Sequence, residues 1–203
     1  MIHAVVFDFG QVISLPPAPG AMEKIADAAG VDAKTMNSLI WDNRSEYDRG
    51  LWSGREYYRR ILAKAGQSRS EAVLEELARL DGEAWTNLNP ATLKLMEDVQ
   101  AAGLKLGILS NIPRDFLALA RERFPVFTRC DAGIFSCEIG SIKPEPLIYE
   151  KLIAALGCAP REIVFFDDMP ANVEKALELG IQAFVWENAE NARKELRRLG
   201  AAV

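Results

Sequence analysis

The chain has 203 residues, of which 49% are hydrophobic and 26% are charged, and its 29 acidic and 24 basic side chains give a net charge of −5. This length suits an α/β domain with an insertion, and the acidic balance argues against a nucleic-acid partner, whose phosphates need basic side chains. The single histidine, His3, argues against histidine-based triads and zinc sites, which leaves carboxylates as the main reactive groups.

The cysteines and the first residues bear on the protein's location. The three cysteines show no Cys-x-x-Cys spacing, which is typical of reduced thiols. Residues 1–8 lack the basic start and cleavage site of a signal peptide, and no apolar run approaches the roughly 20 residues that cross a bilayer. We expect a cytoplasmic monomer or homodimer that binds neither membrane nor nucleic acid.

The first predicted element is a strand at residues 2–7, an apolar run too short and too uniform for an amphipathic helix. Residues 16–88 contain no such run. They are bounded by stiff turn-forming segments at 16–20 and 87–90, and their periodicity predicts helices at 21–29, 33–47, 54–65 and 70–85. We therefore predict a helical cap at 16–88, inserted into an α/β core of residues 1–15 and 89–203.

After this segment, strands and helices alternate. Apolar runs predict strands at 104–109, 163–166 and 181–186, with a weaker one at 133–137. Helical patterns occupy 90–102, 146–156, 170–179 and 188–199, and the first three have proline near the start and glycine just past the end. Apolar strands that alternate with helices are typical of a parallel sheet covered on both faces, so we predict an α/β fold with a doubly wound, Rossmann-like core.

Polar residues follow the predicted strands at the edge where ligands bind in an open parallel sheet. They are three carboxylates, a hydroxyl, an amide and an ammonium, namely Asp8, Asp167, Asp168, Ser110, Asn111 and Lys143. Three carboxylates suit Mg²⁺, and the other donors suit phosphoryl oxygens and developing negative charge. One carboxylate can also be a nucleophile that forms an aspartyl-phosphate. The set predicts a site for phosphoryl transfer.

These residues lie in four short segments: VFDFGQVI at 6–13, LSN at 109–111, KPE at 143–145 and FFDD at 165–168. In residue type, order and approximate spacing, the segments resemble the four motifs of the haloacid dehalogenase-like hydrolases. The resemblance covers essentially the whole chain, since a helical cap after the first strand is also that family's pattern. More specifically, the chain resembles the bacterial α-D-glucose-1-phosphate phosphatases and the phosphatase domains attached to some epoxide hydrolases.

The resemblance implies a Mg²⁺-dependent phosphomonoester hydrolase that acts on a small phosphorylated metabolite of the sugar phosphate type. It assigns the nucleophile to Asp8, which would also bind Mg²⁺ together with the main-chain carbonyl of Gly10 and with Asp168. Asp167 would lie at the metal or just behind it. The phosphoryl group would be bound by Ser110, Asn111 and Lys143.

Gly10 departs from the pattern of many family phosphatases, which carry a second aspartate two residues after the nucleophile. That aspartate protonates the leaving oxygen and later deprotonates the attacking water, and its loss should slow ester hydrolysis, since such help is worth about 10²–10⁴ in rate. Gln11 can orient a water but cannot take its proton. Glu46 or Asp48 of the cap could do so, although the sequence places neither over the site.

Two alternative functions stay open at this point. A haloacid dehalogenase would use its aspartate to displace halide from carbon without a metal, but the adjacent Asp167 and Asp168 are better explained by a bound cation. A non-catalytic phosphate-binding relative is the other alternative, because of Gly10. A phospho-accepting receiver domain is disfavoured, since receivers carry the acidic pair after the first strand.

Several residues outside these motifs carry weaker expectations. We expect the aromatic residues of the cap to build its own core rather than a sugar-stacking platform; they are Trp41, Tyr47, Trp52, Tyr57 and Tyr58. We expect Arg44, Arg49 and Arg55 to be solvated. Asn172, one turn after the paired aspartates, is expected to brace the metal site.

Overall fold

Five strands form one parallel sheet in the computed structural model, which describes residues 1–203. The strands are β1 (Ala4–Phe7), β2 (Lys105–Ser110), β3 (Ala132–Phe135), β4 (Ile163–Asp167) and β5 (Gln182–Val185). Their order across the sheet is β3-β2-β1-β4-β5, with Phe7 opposite Ile108 on one side and Phe166 on the other. The predicted doubly wound α/β fold is confirmed, and the ends of β1, β2 and β4 meet at one edge.

Five helices lie within residues 16–88, and seven lie after residue 88. The first group is α1 (Ala21–Ala29), α2 (Ala33–Trp41), α3 (Arg44–Asp48), α4 (Gly54–Lys64) and α5 (Glu71–Ala84). The second group is α6 (Pro90–Ala101), α7 (Arg114–Arg123), α8 (Val126–Arg129), α9 (Ser136–Ile139), α10 (Pro146–Leu156), α11 (Pro170–Glu178) and α12 (Ala189–Arg198). Asp32, Ser53 and Ser70 accept hydrogen bonds from the first turns of α2, α4 and α5, which explains where these helices begin. None of the helices has the length and apolar composition of a membrane span.

The sheet separates two hydrophobic clusters. Val5 and Phe7 of β1 belong to one cluster, and Ala4 and Val6 belong to the other, as the alternation of side chains along a strand requires. A third cluster of 12 buried residues is made entirely by side chains of residues 25–77, which lie between β1 and β2. The helical segment thus has its own hydrophobic core.

The two ends of the helical segment run side by side. Ser14 and Leu88 form an antiparallel bridge, Leu15 N–H donates to the Asn87 carbonyl at 2.7 Å, and Asn89 N–H donates to the Ile13 carbonyl at 2.8 Å. The chain therefore leaves the core and returns to it at one place. The boundaries of the cap at 16 and 88 stay a prediction.

The structure differs from the sequence prediction mainly in short helices. The helix predicted at 33–47 is divided into α2 and α3, because the side chains of Asp42 and Asn43 bond to Ser38 and to the Leu39 carbonyl of the preceding turn. Helices α7, α8 and α9 were not predicted. The apolar run at 133–137 ends as a strand at Phe135, and the next two residues begin α9.

Candidate active site

Three carboxylates meet at the edge of the sheet where β1 and β4 end. Asp8 directly follows β1, Asp167 is the last residue of β4, and Asp168 is the next residue. Asp8 and Asp167 are buried and Asp168 is half-buried, and one oxygen from each lies within 4.8 Å of the others. Neighbouring parallel strands thus bring together the acidic residues that the sequence predicted at this edge.

The turn after β1 fixes Asp8 and the two residues that follow it. Asp8 Oδ1 accepts a hydrogen bond from Phe9 N–H at 2.6 Å, and the turn closes where Ser14 N–H donates to the Phe9 carbonyl at 2.8 Å. Gln11 has a φ of 58°, which is rare for a residue other than glycine. Its amide Nε2 donates to Asp168 Oδ2 at 2.8 Å, so this uncommon backbone conformation links the turn to the end of β4.

Lys143 lies at the centre of the carboxylate cluster. Its Nζ is 2.7 Å from Asp8 Oδ1 and 2.6 Å from Asp167 Oδ2, and it donates to the Leu109 carbonyl at 3.0 Å. The side chain is 1% exposed. A lysine so deeply buried is stable as a cation only beside negative charge, which both carboxylates supply.

Asp167 has a full set of hydrogen-bond partners. Besides Lys143 on Oδ2, its Oδ1 accepts from Met169 N–H and from Asn172 Nδ2, both at 2.9 Å. Asn172 thus bonds directly to Asp167, and its bracing of a metal site stays a prediction. Asp8 and Asp168 differ, since Asp8 Oδ2 and Asp168 Oδ1 have no donor in the protein.

Asn111 and Ser110 follow β2 but have different surroundings. The Asn111 side chain makes two hydrogen bonds to the main chain of Lys143. Its Nδ2 donates to the Lys143 carbonyl at 3.0 Å, and its Oδ1 accepts from Lys143 N–H at 2.7 Å. Asn111 also borders the cavity described below. Ser110 is buried, makes only a long 3.4 Å hydrogen bond to the Asn111 carbonyl, and does not line that cavity.

Burial and crowded charges shift the pKa values of this cluster. Burial raises the pKa of Asp8 despite the attraction of Lys143, and Asp167 and Asp168 add to the rise. Burial and Asp167 likewise raise the pKa of Asp168. For Lys143, burial opposes the charge, but Asp167 and Asp8 outweigh it, so that the pKa is raised. Burial and the crowding of negative charge therefore favour a proton on Asp8 and Asp168 when no cation is bound.

The donor set fits a divalent cation. When all three carboxyl groups are ionised, they exceed the one ammonium by two negative charges, and the free oxygens of Asp8 and Asp168 are hard ligands of the kind that Mg²⁺ takes. Asp167 fits a supporting position better, because all its bonds go to protein donors. The predicted metal-binding residues are thus brought together, with Gly10 in the adjoining turn.

A cavity of about 300 Å³ opens over this cluster, at the small end of the range for ligand pockets, roughly 300–1,000 Å³. The α/β core contributes Phe116 and the carboxylates of Asp8 and Asp168 to its lining, and the helical segment contributes Trp41 and Trp85. The two tryptophan rings meet edge to face with centroids 6.4 Å apart. Trp41 is 51% exposed, so part of its ring is open to a ligand.

The expectation that Arg44 is solvated is wrong. The Arg44 side chain is 13% exposed, forms ion pairs with Asp48 and Asp81, and lines the cavity together with Asp48. No local pattern indicates these ion pairs, because they depend on how α3 packs over the core. Arg49 instead forms an ion pair with Glu145.

The other aromatic residues of the helical segment are inside it. Tyr47, Tyr57 and Tyr58 are fully buried in its hydrophobic cluster, and Trp52 packs against that cluster. Tyr47 stacks on Tyr57 with ring centroids 4.4 Å apart. These four residues build the core of the segment, and only Trp41 of the predicted aromatic set borders the cavity.

Comparisons with known proteins agree with this fold. A sequence model of the haloacid dehalogenase-like hydrolases matches residues 2–180. The chain is 28% identical to acyl-CoA dehydrogenase family member 10 of Mus musculus, over 97% of this chain but 19% of the mouse protein. It is 27% identical to the D-ribitol-5-phosphate phosphatase of Bacteroides thetaiotaomicron, over 97% of both chains.

A solved structure shares the fold across most of the chain. A haloacid dehalogenase family enzyme from Bacteroides thetaiotaomicron, in complex with magnesium and inorganic phosphate, superimposes with a TM-score of 0.75 at 19% identity. The superposition covers 93% of this chain and 96% of that one. With the family match over most of its length, this chain belongs to the haloacid dehalogenase-like hydrolases.

Proposed function

We propose that this hydrolase is a Mg²⁺-dependent phosphomonoesterase that acts on a small phosphorylated metabolite through an aspartyl-phosphate on Asp8. The observation that carries the proposal is the group of three carboxylates within 4.8 Å, offset by the single buried ammonium of Lys143. A divalent cation balances the remaining negative charge of the carboxylates, and a phosphate ester is a natural ligand for that cation together with the Lys143 ammonium. The similarity to a D-ribitol-5-phosphate phosphatase over nearly its full length supports a phosphomonoesterase activity.

Asp8 has the two properties of a nucleophile in such a reaction. Its Oδ1 is held by Phe9 N–H and Lys143, and its Oδ2 has no partner in the protein. The one fully buried side-chain polar atom without a partner in the whole chain is the Tyr58 hydroxyl, so Asp8 Oδ2 is open to the cavity. An anchored carboxylate with one free oxygen is aligned to attack phosphorus.

The remaining predicted residues would bind the substrate and the metal. Lys143 would stabilise negative charge on the phosphoryl oxygens, and Asn111 would offer the second hydrogen of its Nδ2. Phosphate binding by Ser110 stays a prediction. The groups that would hold Mg²⁺ are Asp8, the Gly10 carbonyl and Asp168, with Asp167 behind them. When bound, the cation neutralises phosphoryl oxygens and orients the ester for in-line attack.

The cavity supports a small substrate with a sugar-like body. Its volume of about 300 Å³ leaves no room for a polymer, and the ring of Trp41 beside Trp85 offers a face for the carbon atoms of a sugar. Residues 16–88 would act as a cap that covers the substrate and selects it. The cytoplasmic location and the monomeric or homodimeric state stay predictions.

The test is phosphate release by the purified protein from a panel of sugar phosphates and from p-nitrophenyl phosphate. We expect activity with Mg²⁺, none after EDTA, and none in Asp8→Asn under either condition. Activity that survives EDTA or Asp8→Asn would refute the proposal. Halide release from 2-haloalkanoates without Mg²⁺ would support the alternative dehalogenase, and Mg²⁺ binding without turnover would support the non-catalytic relative.

A further inference from the structure

The cavity is lined by three carboxylates, and one of them has no part in the reaction described so far. Asp8 and Asp168 belong to the core edge, whereas Asp48 is the last residue of α3 in the helical segment. Gly10 has no side chain, and the amide of Gln11 cannot take up a proton. Glu46, the other acidic residue of α3, does not line the cavity. Asp48 is therefore the remaining protein group with the chemistry of an acid and base.

Contacts with the core fix Asp48 beside the cavity. The Ser136 hydroxyl donates to the Asp48 carbonyl at 2.5 Å and accepts from Ile112 N–H at 2.8 Å. Two residues further on, Gly50 lies so close to the backbone of Cys137 that an added Cβ would be 2.7 Å from its carbonyl oxygen. The end of α3 is thus bonded to the core at the cavity wall.

The side chain of Asp48 has one anchored oxygen and one free oxygen. Oδ1 accepts from Arg44 Nε at 2.9 Å, and Oδ2 has no hydrogen-bond donor in the protein. Because the Tyr58 hydroxyl is the one fully buried side-chain polar atom without a partner, Oδ2 of Asp48 is not sealed inside the helical segment. Asp48 lines the same cavity as Asp8.

The charges around Asp48 favour a proton on its carboxyl group. Arg44 also donates to Asp81 Oδ2 at 2.7 Å, so one guanidinium serves two buried carboxylates. The other titratable groups that face this cluster are Lys143, Tyr47 and Tyr57. Burial raises the pKa of Asp48, Arg44 opposes the rise, Asp81 adds to it and Lys143 opposes it. A carboxyl with a raised pKa is suited to donate a proton near neutral pH.

We propose that Asp48 is the general acid and base of this hydrolase, a role that Gly10 cannot fill because it has no side chain. The inference rests on the phosphomonoesterase activity proposed above. In the first step Asp8 Oδ2 bonds to phosphorus, the bond from phosphorus to the ester oxygen breaks, and the proton of Asp48 moves to that oxygen. In the second step the Asp48 carboxylate takes a proton from water while the water oxygen bonds to phosphorus. The bond from phosphorus to Asp8 then breaks, phosphate leaves, and both carboxyl groups regain their starting states.

Asp48→Asn tests this role with two substrates that differ in their need for a proton. The alkoxide of a hexose phosphate leaves poorly without protonation, so turnover should fall about 10²–10⁴-fold. The nitrophenolate of p-nitrophenyl phosphate leaves without a proton, so the first step should change little and the second should slow. Rapid mixing should then show a burst of nitrophenolate equal to the enzyme concentration, followed by slow turnover.

Two sets of variants control the experiment. Glu46→Gln removes a carboxyl group from the same helix outside the cavity and should keep wild-type kinetics. Gly10→Asp, added to Asp48→Asn, should restore part of the hexose phosphate activity, whereas Gly10→Ala should not. Gly10 has φ −62° and ψ 127°, and an added Cβ would meet Trp85 at an ordinary 3.7 Å, so the position accepts a side chain. In Asp48→Asn, Arg44 keeps Asp81 as its counter-ion, so the variant should fold.

The outcomes separate this inference from the proposed function. Wild-type turnover of hexose phosphate by Asp48→Asn would overturn the role of Asp48 and leave the phosphomonoesterase intact. Equal losses on both substrates without a burst, in a folded variant, would also overturn it, because they indicate a structural role. A wild-type protein that releases phosphate from neither substrate would refute the phosphomonoesterase itself.

Discussion

Replacing Lys143 tests the electrostatic account of the site, because its ammonium lies between two buried carboxylates. Nζ is 2.7 Å from Asp8 Oδ1 and 2.6 Å from Asp167 Oδ2. Lys143→Met keeps an unbranched side chain of similar length and removes the charge. Taking one partner out of a buried ion pair costs about 3–5 kcal/mol, since the remaining charges stay desolvated. For a chain of this size, that loss lowers Tm by roughly 6–20 °C.

Urea unfolding in EDTA at about pH 7 measures this loss, and its pH dependence identifies the cause. Without the ammonium, the folded-state pKa of Asp8, which burial already raises, rises further, so the folded variant binds more protons than the folded wild type. The deficit should therefore shrink when the pH falls to about 5. Mg²⁺ should stabilise the variant and the wild type alike, by about 2.7 kcal/mol at a concentration of 100 times each Kd.

Lys151→Met is the matched control, because Lys151 is exposed on α10 and makes no ion pair. Its stability should stay within about 0.5 kcal/mol of the wild type. If Lys143→Met lies within about 1 kcal/mol of this control at neutral pH, the site does not depend on the buried ion pairs, and the reasoning is refuted.

Three further changes probe the contacts around the site. Gly50→Ala should destabilise the fold more than Gly66→Ala, because both glycines have positive φ, at 76° and 68°, but only the first would press a Cβ against backbone. Left-handed strain, which both variants share, costs about 1–2 kcal/mol. Equal urea midpoints for Gly50→Ala and Gly66→Ala would contradict the packing of the helical segment on the core. Asp48→Asn should gain stability over the wild type as the pH rises above about 4. The folded-state pKa of Asp48 is raised, so the wild-type fold loses stability as the pH rises through that pKa. Parallel curves of stability against pH for the two proteins would contradict this. Asn172→Ala removes a donor from Asp167 and should weaken activation by Mg²⁺ about 10–100-fold, and an unchanged metal titration of activity would show that the bond is unimportant.

The acidic edge of the sheet could be predicted because its position follows from local sequence. Asp8 and Asp167 come at the ends of short apolar runs, and parallel strands end at the same edge of the sheet regardless of the conformation of the loops. Lys143 could be predicted on the same grounds, as the basic residue of a loop before a helix at that edge. What the sequence did not indicate is that its ammonium is buried between the two carboxylates.

The wall of the cavity could not be predicted, because it depends on contacts between distant parts of the chain. Arg44 and Asp48 lie on a short helix that the side chains of Asp42 and Asn43 separate from α2, and periodicity alone gave one continuous helix. The hydrogen bond from Ser136 to the Asp48 carbonyl joins residues 88 positions apart. No local pattern reports such a contact, so an arginine held in two ion pairs was expected to be solvated.

The most direct test of the account is to trap the phosphorylated enzyme. Rapid acid quenching of the wild-type protein during turnover of p-nitrophenyl phosphate with Mg²⁺, followed by proteolysis and mass spectrometry, should find one added phosphoryl group on the peptide that contains Asp8. The group should be absent from Asp8→Asn and from protein treated with EDTA. Phosphate release at the wild-type rate with no phosphoryl group on Asp8, or with the group on another residue, would contradict the account.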